Sequence, residues 1–357
     1  MFDIFFDKML KNEASLPMHQ HTNHLPIHSA VLERMKETVE KQEWVYYGGP
    51  TGSTNVKEII AQDLNVDLDK FDILLTNGAM EAFYMIMNQF KSEWNTFIDC
   101  VPSWPWPRRF SKAFGVPVTS VLLRKLRPSD IIAGSCVNIL NGQHPQSLLY
   151  TDAELIALAE KAADVNAWFI HDMTYRDFFP EYPNLLEQNP ERGFVTFSFS
   201  KGNSLAGLRI GGLVCSKENT KSFVPLNPAR LGVNVIAEQA AIASIETKYL
   251  WKQKNIDIIA KNNKMIYSKL SDLETKGILN MPKKDIMNDV WINFLTVSSS
   301  WVTEELKKRK VLVNDTATRA YFKAGERYNN ANHITVTTSV PEYWIDYFCE
   351  QLNEILK

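Results

Sequence analysis

The sequence predicts an α/β fold, a mostly parallel central sheet flanked by helices, followed by a smaller α+β part. Three observations carry this expectation. From residue 71 to 215, short apolar runs of strand length alternate with helical patterns, the order that crossovers in a parallel sheet require. From about Asn280 the pattern changes to a strand-like run, Val290 to Leu295, a helix from Thr303 to Lys310, and a second short run, Val311-Leu312-Val313. The 357 residues, 45% of them apolar, allow one large or two moderate domains with a sizeable core.

Composition removes several classes of function. A formal net charge of -2 gives no electrostatic case for binding nucleic acid or an anionic membrane. The four cysteines, Cys100, Cys136, Cys215 and Cys349, are scattered with no CxxC pair, so neither a disulfide framework nor a zinc site is expected. Acids interrupt the apolar run from Met1 to Lys8, which is not a signal peptide, and no apolar stretch reaches transmembrane length. A cytoplasmic protein is expected. His19, His21, His24 and His28 crowd the early segment, but their spacing fits no standard ligand motif and Pro26 interrupts any helix that would align them. No metal is expected.

Along the chain, Ser29 is placed to cap a helix through Val31, Met35 and Val39. The turn-rich stretch Trp44 to Gly52 precedes a helix containing Val56, Ile59 and Ile60. Phe71 to Asn77 reads as a strand, and Gly78-Ala79-Met80-Glu81-Ala82 opens a helix whose free N–H groups would suit an anion. Trp94 to Val101 is a further strand, leading into Pro102-Ser103-Trp104-Pro105-Trp106-Pro107. Cys136 to Leu140 is a buried strand ending in Asn141-Gly142-Gln143-His144-Pro145. Thr151 and Glu154 introduce an amphipathic helix through Leu158 and Ala162. Ala167 to His171 is a strand closing on Asp172-Met173-Thr174-Tyr175. A nearly uninterrupted helical pattern then runs from Val235 towards Leu270.

The most informative stretch is Ser198 to Gly212, between an alternating run ending at Phe199 and the strand-like Leu213-Val214-Cys215. Its glycines let backbone approach a ligand, and its hydroxyls and Arg209 suit a phosphate. Lys201, if desolvated there, is an amine nucleophile toward an aldehyde. The same residues also fit a surface loop with an ordinary solvated lysine.

The stretch resembles the Ser-x-Ser-Lys-x-x-x-Leu-x-Gly-x-Arg signature of pyridoxal-phosphate enzymes of fold type I, in the class I/II aminotransferase family. The histidinol-phosphate aminotransferase-like branch is the nearest, by the compact length and short N-terminal arm. The resemblance implies pyridoxal 5'-phosphate, with Lys201 as the Schiff-base lysine and Ser198, Ser200 and Arg209 on the phosphate. Gly78, Ala79 and Met80 stand at the family's phosphate cradle, where Met80 replaces a hydroxyl residue and offers only backbone. Trp104, with Trp106 as second choice, matches the aromatic that stacks on the pyridine ring. Asp172 matches the partner of the ring nitrogen, and Tyr175 a donor to the 3-oxygen. His144 stands where the family has an asparagine.

Tyr47, placed as the family tyrosine that reaches the neighbouring subunit's phosphate, implies a homodimer with shared sites. Asn23 matches an asparagine at the substrate mouth. Thr335 falls on the position of the arginine that grips the substrate carboxylate, with Arg319 and Arg327 upstream as stand-ins. The domains implied are residues 41–248, binding the cofactor, and a small domain from 1–40 and 249–357. The expected function is an aminotransferase acting on an amino acid or related amine, histidinol-phosphate-like or atypical, with a small-molecule amino donor and a keto acceptor. The alternatives are a decarboxylase or lyase on the same fold, and a non-catalytic binding protein.

Overall fold

The computed structural model describes residues 4–357 apart from 12, 20, 102, 123–124, 141–149, 179–182, 224, 226–231, 283–287 and 316–331. Among them the chain forms two compact units: one runs from Ile27 to Lys252 around the stretch near 141–149, and the other joins Met1–Pro26 to Gln253–Lys357. The chain opens in the second of these with helix α1, Ile4–Leu10, and the short strand β1, Leu16–Pro17. It then enters the larger unit with α2, Ser29–Glu40, and α3, Thr54–Leu64.

The larger unit is built on β2 (Phe71–Thr76), β3 (Thr96–Val101), β4 (Val118–Leu122), β5 (Ser135–Leu140), β6 (Trp168–Asp172), β7 (Gly193–Ser198) and β8 (Gly211–Ser216). They form one 7-stranded sheet in the order β2-β8-β7-β6-β5-β3-β4. Strands β3 to β7 are parallel, and β8 is antiparallel to both β7 and β2. Two reversals cancel, so β2 points the same way as the parallel strands. The segments that leave β2, β6 and β7 therefore emerge at one edge, where such sheets bind ligands.

Helices α4 (Ala79–Phe90), α5 (Trp106–Ala113), α6 (Asp152–Asp164), α7 (Lys217–Phe223) and α8 (Val235–Glu246) complete the unit. Pleating divides each strand between two cores. On β2, Ile73 and Leu75 join Val56 and Ile60 of α3 and Ala237 and Ala240 of α8, whereas Leu74 joins Phe83 and Ile86 of α4. Helix α6 starts on a capping box: Thr151 Oγ1 accepts from the Glu154 backbone at 3.3 Å, and the Glu154 carboxylate accepts from Thr151 N at 2.7 Å.

Two local expectations are corrected. Ser29 is the first residue of α2, not its cap; His28 caps it, its backbone extended and its Nδ1 accepting from Ala30 N at 3.3 Å. The helix expected from Val235 to Leu270 is two, α8 and α9 (Lys248–Lys269), interrupted at Thr247, whose hydroxyl takes the Ala243 carbonyl at 2.7 Å. The larger unit begins at Ile27 and ends at Lys252. The reason is packing: Val31 of α2 lies in the core with α3 and α8, and Lys248 forms ion pairs with Asp63 and Asp177.

In the smaller unit, α10 (Ser271–Thr275), α11 (Ser299–Lys308) and α12 (Glu342–Leu356) accompany a 4-stranded sheet. Its strands β9 (Leu279–Asn280), β10 (Asp289–Phe294), β12 (Asn314–Asp315) and β13 (His333–Thr337) lie antiparallel in the order β12-β13-β10-β9. Strand β11, Val311–Leu312, pairs in parallel with β1. Ile334 and Val336 of β13 join Val290, Ile292, Trp344 and Phe348 in the core. Alternation therefore puts His333, Thr335 and Thr337 on the other face. No helix among the described residues is long and apolar enough to cross a membrane.

Candidate active site

At the shared edge, the end of β2 meets the start of β8. Thr76 Oγ1 donates to Gly78 O at 2.9 Å, and the backbone and side-chain nitrogens of Asn77 donate to Glu81 at 2.6 and 3.0 Å. These bonds fix a turn in which Gly78 takes φ +80°, a conformation that side chains disfavour. A Cβ on Gly78 would lie 2.7 Å from Arg209 Nη2. The guanidinium lies against this turn because its Nη2 donates to Asn77 O and its Nη1 to Ala206 O, both at 2.9 Å. Gly211 presses on the same place: a Cβ there would lie 2.9 Å from Gly78 Cα and 3.0 Å from Ala79 N.

Ser198 is the register partner of Gly211, and its hydroxyl donates to that of Ser200 at 2.9 Å while accepting from Ser200 N at 3.2 Å. Two hydroxyls, a guanidinium and the first-turn N–H groups of α4 thus converge. Such a set suits a doubly charged phosphate.

Asp172 ends β6 beside Thr196 of β7 and is 4% exposed. Thr174 donates to its Oδ1 from the backbone at 3.0 Å and from the hydroxyl at 2.5 Å. Burial pushes the Asp172 carboxyl up to about 6, against the pull of those two bonds. The preceding His171 is fully buried, and burial lowers it to about 3, so it stays neutral near pH 7. Tyr175 is buried, and the Lys201 Nζ stands 5.8 Å from its ring centroid.

Pyridoxal phosphate offers a phosphate, an aldehyde and a ring nitrogen. The described residues fit it: an anion cradle that a Cβ at Gly78 or Gly211 would fill, an amine at Lys201, and a buried carboxylate at Asp172.

The other expected residues have settings of their own. Trp104 is half-buried and meets Phe83 of α4 edge-on, centroids 6.4 Å apart. Trp106 is 37% exposed at the start of α5, under the Arg109 guanidinium. Tyr47 is 85% exposed. His144, Arg319 and Arg327 lie outside the described residues. Asn23 and Thr335 belong to the smaller unit. The Asn23 side-chain oxygen accepts from Leu25 N at 2.9 Å, closing a local turn. Thr335 is 3% exposed, and its hydroxyl has no hydrogen-bond partner among the described residues.

The early histidines serve the fold as well as the arm: His21 Nδ1 lies 2.5 Å from Asp289 and His24 Nε2 lies 3.0 Å from the Thr22 hydroxyl. Two clusters behind the site went unseen in the sequence. One joins Asp99 to Arg108 and, at 2.8 Å, to Asn138; the other joins Asp63, Arg176, Asp177 and Lys248. Their members are distant in sequence, and no local pattern marks them.

Comparison with known proteins places this geometry. The model of the family "Aminotransferase class I and II" matches residues 18–334. A histidinol-phosphate aminotransferase 2 of Carboxydothermus hydrogenoformans is 25% identical over 94% of this chain and 87% of its own. The histidinol-phosphate aminotransferase of Thermotoga neapolitana is 26% identical over 68% of this chain and 71% of its own. Among solved structures, a double mutant of Thermus thermophilus aspartate aminotransferase shares the fold at TM-score 0.79 and 17% identity, covering 99% of this chain and 95% of that one. L-threonine-O-3-phosphate decarboxylase from Porphyromonas gingivalis shares it at TM-score 0.76 and 17% identity, covering 95% and 98%. With the family matched over most of its length, the chain belongs to the aminotransferase class I and II family and is a pyridoxal-phosphate-dependent aminotransferase.

Proposed function

We propose that Lys201 is the reactive amine of this aminotransferase and that its amino donor is an amine or amino alcohol, not an ordinary α-amino acid. The observation that carries the first half is the setting of Lys201, between the Ser198–Ser200 hydroxyls and the Arg209 cradle and near Tyr175. The cofactor supplies an aldehyde for the amine and a ring that withdraws electrons from the donor carbon. Ser198, Ser200, Arg209 and the α4 N-terminus bind its phosphate. Asp172 holds the proton on its ring nitrogen, and Tyr175 and Trp104 orient the ring. Lys201 Nζ moves the proton at the carbon that bears the donor's nitrogen.

The second half rests on β13. Its polar face carries His333, Thr335 and Thr337, and none of them can supply a guanidinium fork. A carboxylate without that partner loses a pair of charge-assisted hydrogen bonds, on the order of 3 kcal/mol, or roughly a hundredfold in affinity. The names of the matched relatives support the same class: histidinol phosphate is an amino alcohol ester with no α-carboxylate. By the family resemblance, Asn23 would line the substrate mouth. Exposed Trp44, Val45, Tyr46 and Tyr47 support a homodimer interface, and four free, buried cysteines support a reducing, cytoplasmic compartment.

Borohydride reduction with pyridoxal phosphate should fix the cofactor on Lys201, mapped by mass spectrometry, and Lys201→Ala should lose both adduct and turnover. Amino alcohols should convert the pyridoxal to the pyridoxamine form, and Thr335→Arg should improve common amino acids. An adduct retained in Lys201→Ala overturns the first assignment; efficient wild-type use of glutamate overturns the second.

A further inference from the structure

Behind the Lys201 loop, within the larger unit, four charged side chains meet: Arg176 and Asp177 are buried, and Asp63 and Lys248 are half-buried. Arg176 pairs with Asp63 and lies 3.8 Å from Asp177; Lys248 reaches Asp63 at 2.7 Å and Asp177 at 2.6 Å. Asp177 is 2% exposed. Burial alone would raise its carboxyl, but Arg176 and Lys248 hold it well below the usual carboxylate range. The carboxylate therefore stays ionised across the whole neutral range.

One end of this cluster reaches the lysine loop. Asp177 Oδ2 accepts from Asn203 Nδ2 at 2.5 Å, and Asn203 Oδ1 accepts from the Ser244 hydroxyl at 3.0 Å. Asn203 is 6% exposed, and both ends of its amide group are held by these bonds. Gly202 lies flat on Asp177, which leaves no room for a Cβ. The loop itself is a demanding conformation: Ser204 takes φ 59°, Ser204 N donates to Lys201 O at 3.1 Å, and Leu205 N donates to Phe199 O at 3.0 Å. A non-glycine residue in the left-handed region is held by its surroundings.

We propose that Asp177 is the positioning residue for Lys201, acting through Asn203 and the bare face of Gly202. Lys201 carries four rotatable bonds, so its amine is aimed only as well as the backbone beneath it is fixed. One short segment then does two things. Asp172 and Tyr175 face the site, and Asp177, two residues on, clamps the loop from behind. The ion pairs anchor the clamp. This inference rests on the reading of Lys201 as the reactive amine.

The test uses Asn203→Ala, Asp177→Asn and the double variant of the full chain. Asn203→Ala leaves every ion pair in place, so the chain should still fold, its thermal midpoint lowered only by the two buried hydrogen bonds it loses. In the protein without cofactor, hydrogen exchange at the Ser204 and Leu205 amides should accelerate about tenfold. With pyridoxal phosphate added, the borohydride-fixed adduct on Lys201 should form about tenfold more slowly, and kcat should fall with little change in KM. The two substitutions should be non-additive, the double variant adding nothing to Asp177→Asn in loop exchange or adduct rate. Unchanged exchange in Asn203→Ala, or additive effects, overturns the clamp. Wild-type protein that fixes no pyridoxal phosphate removes the role of Lys201 instead, so the two failures are distinguishable.

Discussion

Asp172 ends β6 with its carboxyl raised by burial to about 6, and the sign of its effect on stability follows. Between about pH 4 and 6 the folded chain without cofactor keeps a proton there that the unfolded chain has lost, so stability falls as pH rises. The penalty at neutral pH is on the order of 3 kcal/mol. Asp172→Asn should abolish this decline, read as the thermal midpoint of the cofactor-free protein from pH 4 to 7, and should slow proton removal at the donor carbon in the loaded enzyme. An unchanged pH profile would place the titration elsewhere. The place of Asp172 at the end of an apolar strand was legible in the sequence, and its role was implied by the family resemblance and its spacing to the Lys201 motif. Asp177 was not, because its meaning depends on Asp63 and Lys248, which only the fold brings to it.

The joint between β2, α4 and β8 is the element that makes the anion site. Gly211 has no space for a side chain, since a Cβ would come within 2.6 Å of Phe197 O and 2.9 Å of Gly78 Cα, backbone atoms that cannot swing away. Gly211→Ala should cost about 1–3 kcal/mol of stability and weaken pyridoxal phosphate binding at least about tenfold, measured by melting and by fluorescence titration. Gly207→Ala meets nothing within 4 Å and should stay within about 0.5 kcal/mol of wild type. The strands of this joint could be read from alternation alone, and the glycines from their clustering. Which glycine bears the contact could not, because that depends on how β8 is laid beside β2. The helix break at Thr247 was hidden for a related reason: apolar periodicity continues across it, and only the backbone shows Thr247 as the cap of α8.

For the whole molecule, the proposed homodimer would cover the exposed run from Trp44 to Tyr47 and take Tyr47 to the partner's phosphate. Mixing Lys201→Ala subunits with an inactive Tyr47→Phe variant should restore activity, to roughly a quarter of wild type at equal mixing, because each mixed dimer holds one complete site. A catalytically competent monomer in sedimentation would rule the shared site out. The change of pattern near Asn280 was legible in the sequence, whereas the margins of the larger unit were not, since Val31 and Lys248 find their partners far along the chain. The bond between Arg209 and Asn77 spans 132 residues. Its antiparallel companion β8 is made last of the sheet, yet it must slide in beside β2, made first. Closing so long a loop is slow and comes late in folding. A chain halted on the ribosome before Arg209 holds the first half of the cradle and no means to complete it. Acquisition of the cofactor is then a report that the larger unit has finished folding, and refolding followed by pyridoxal phosphate fluorescence should lag behind the recovery of secondary structure.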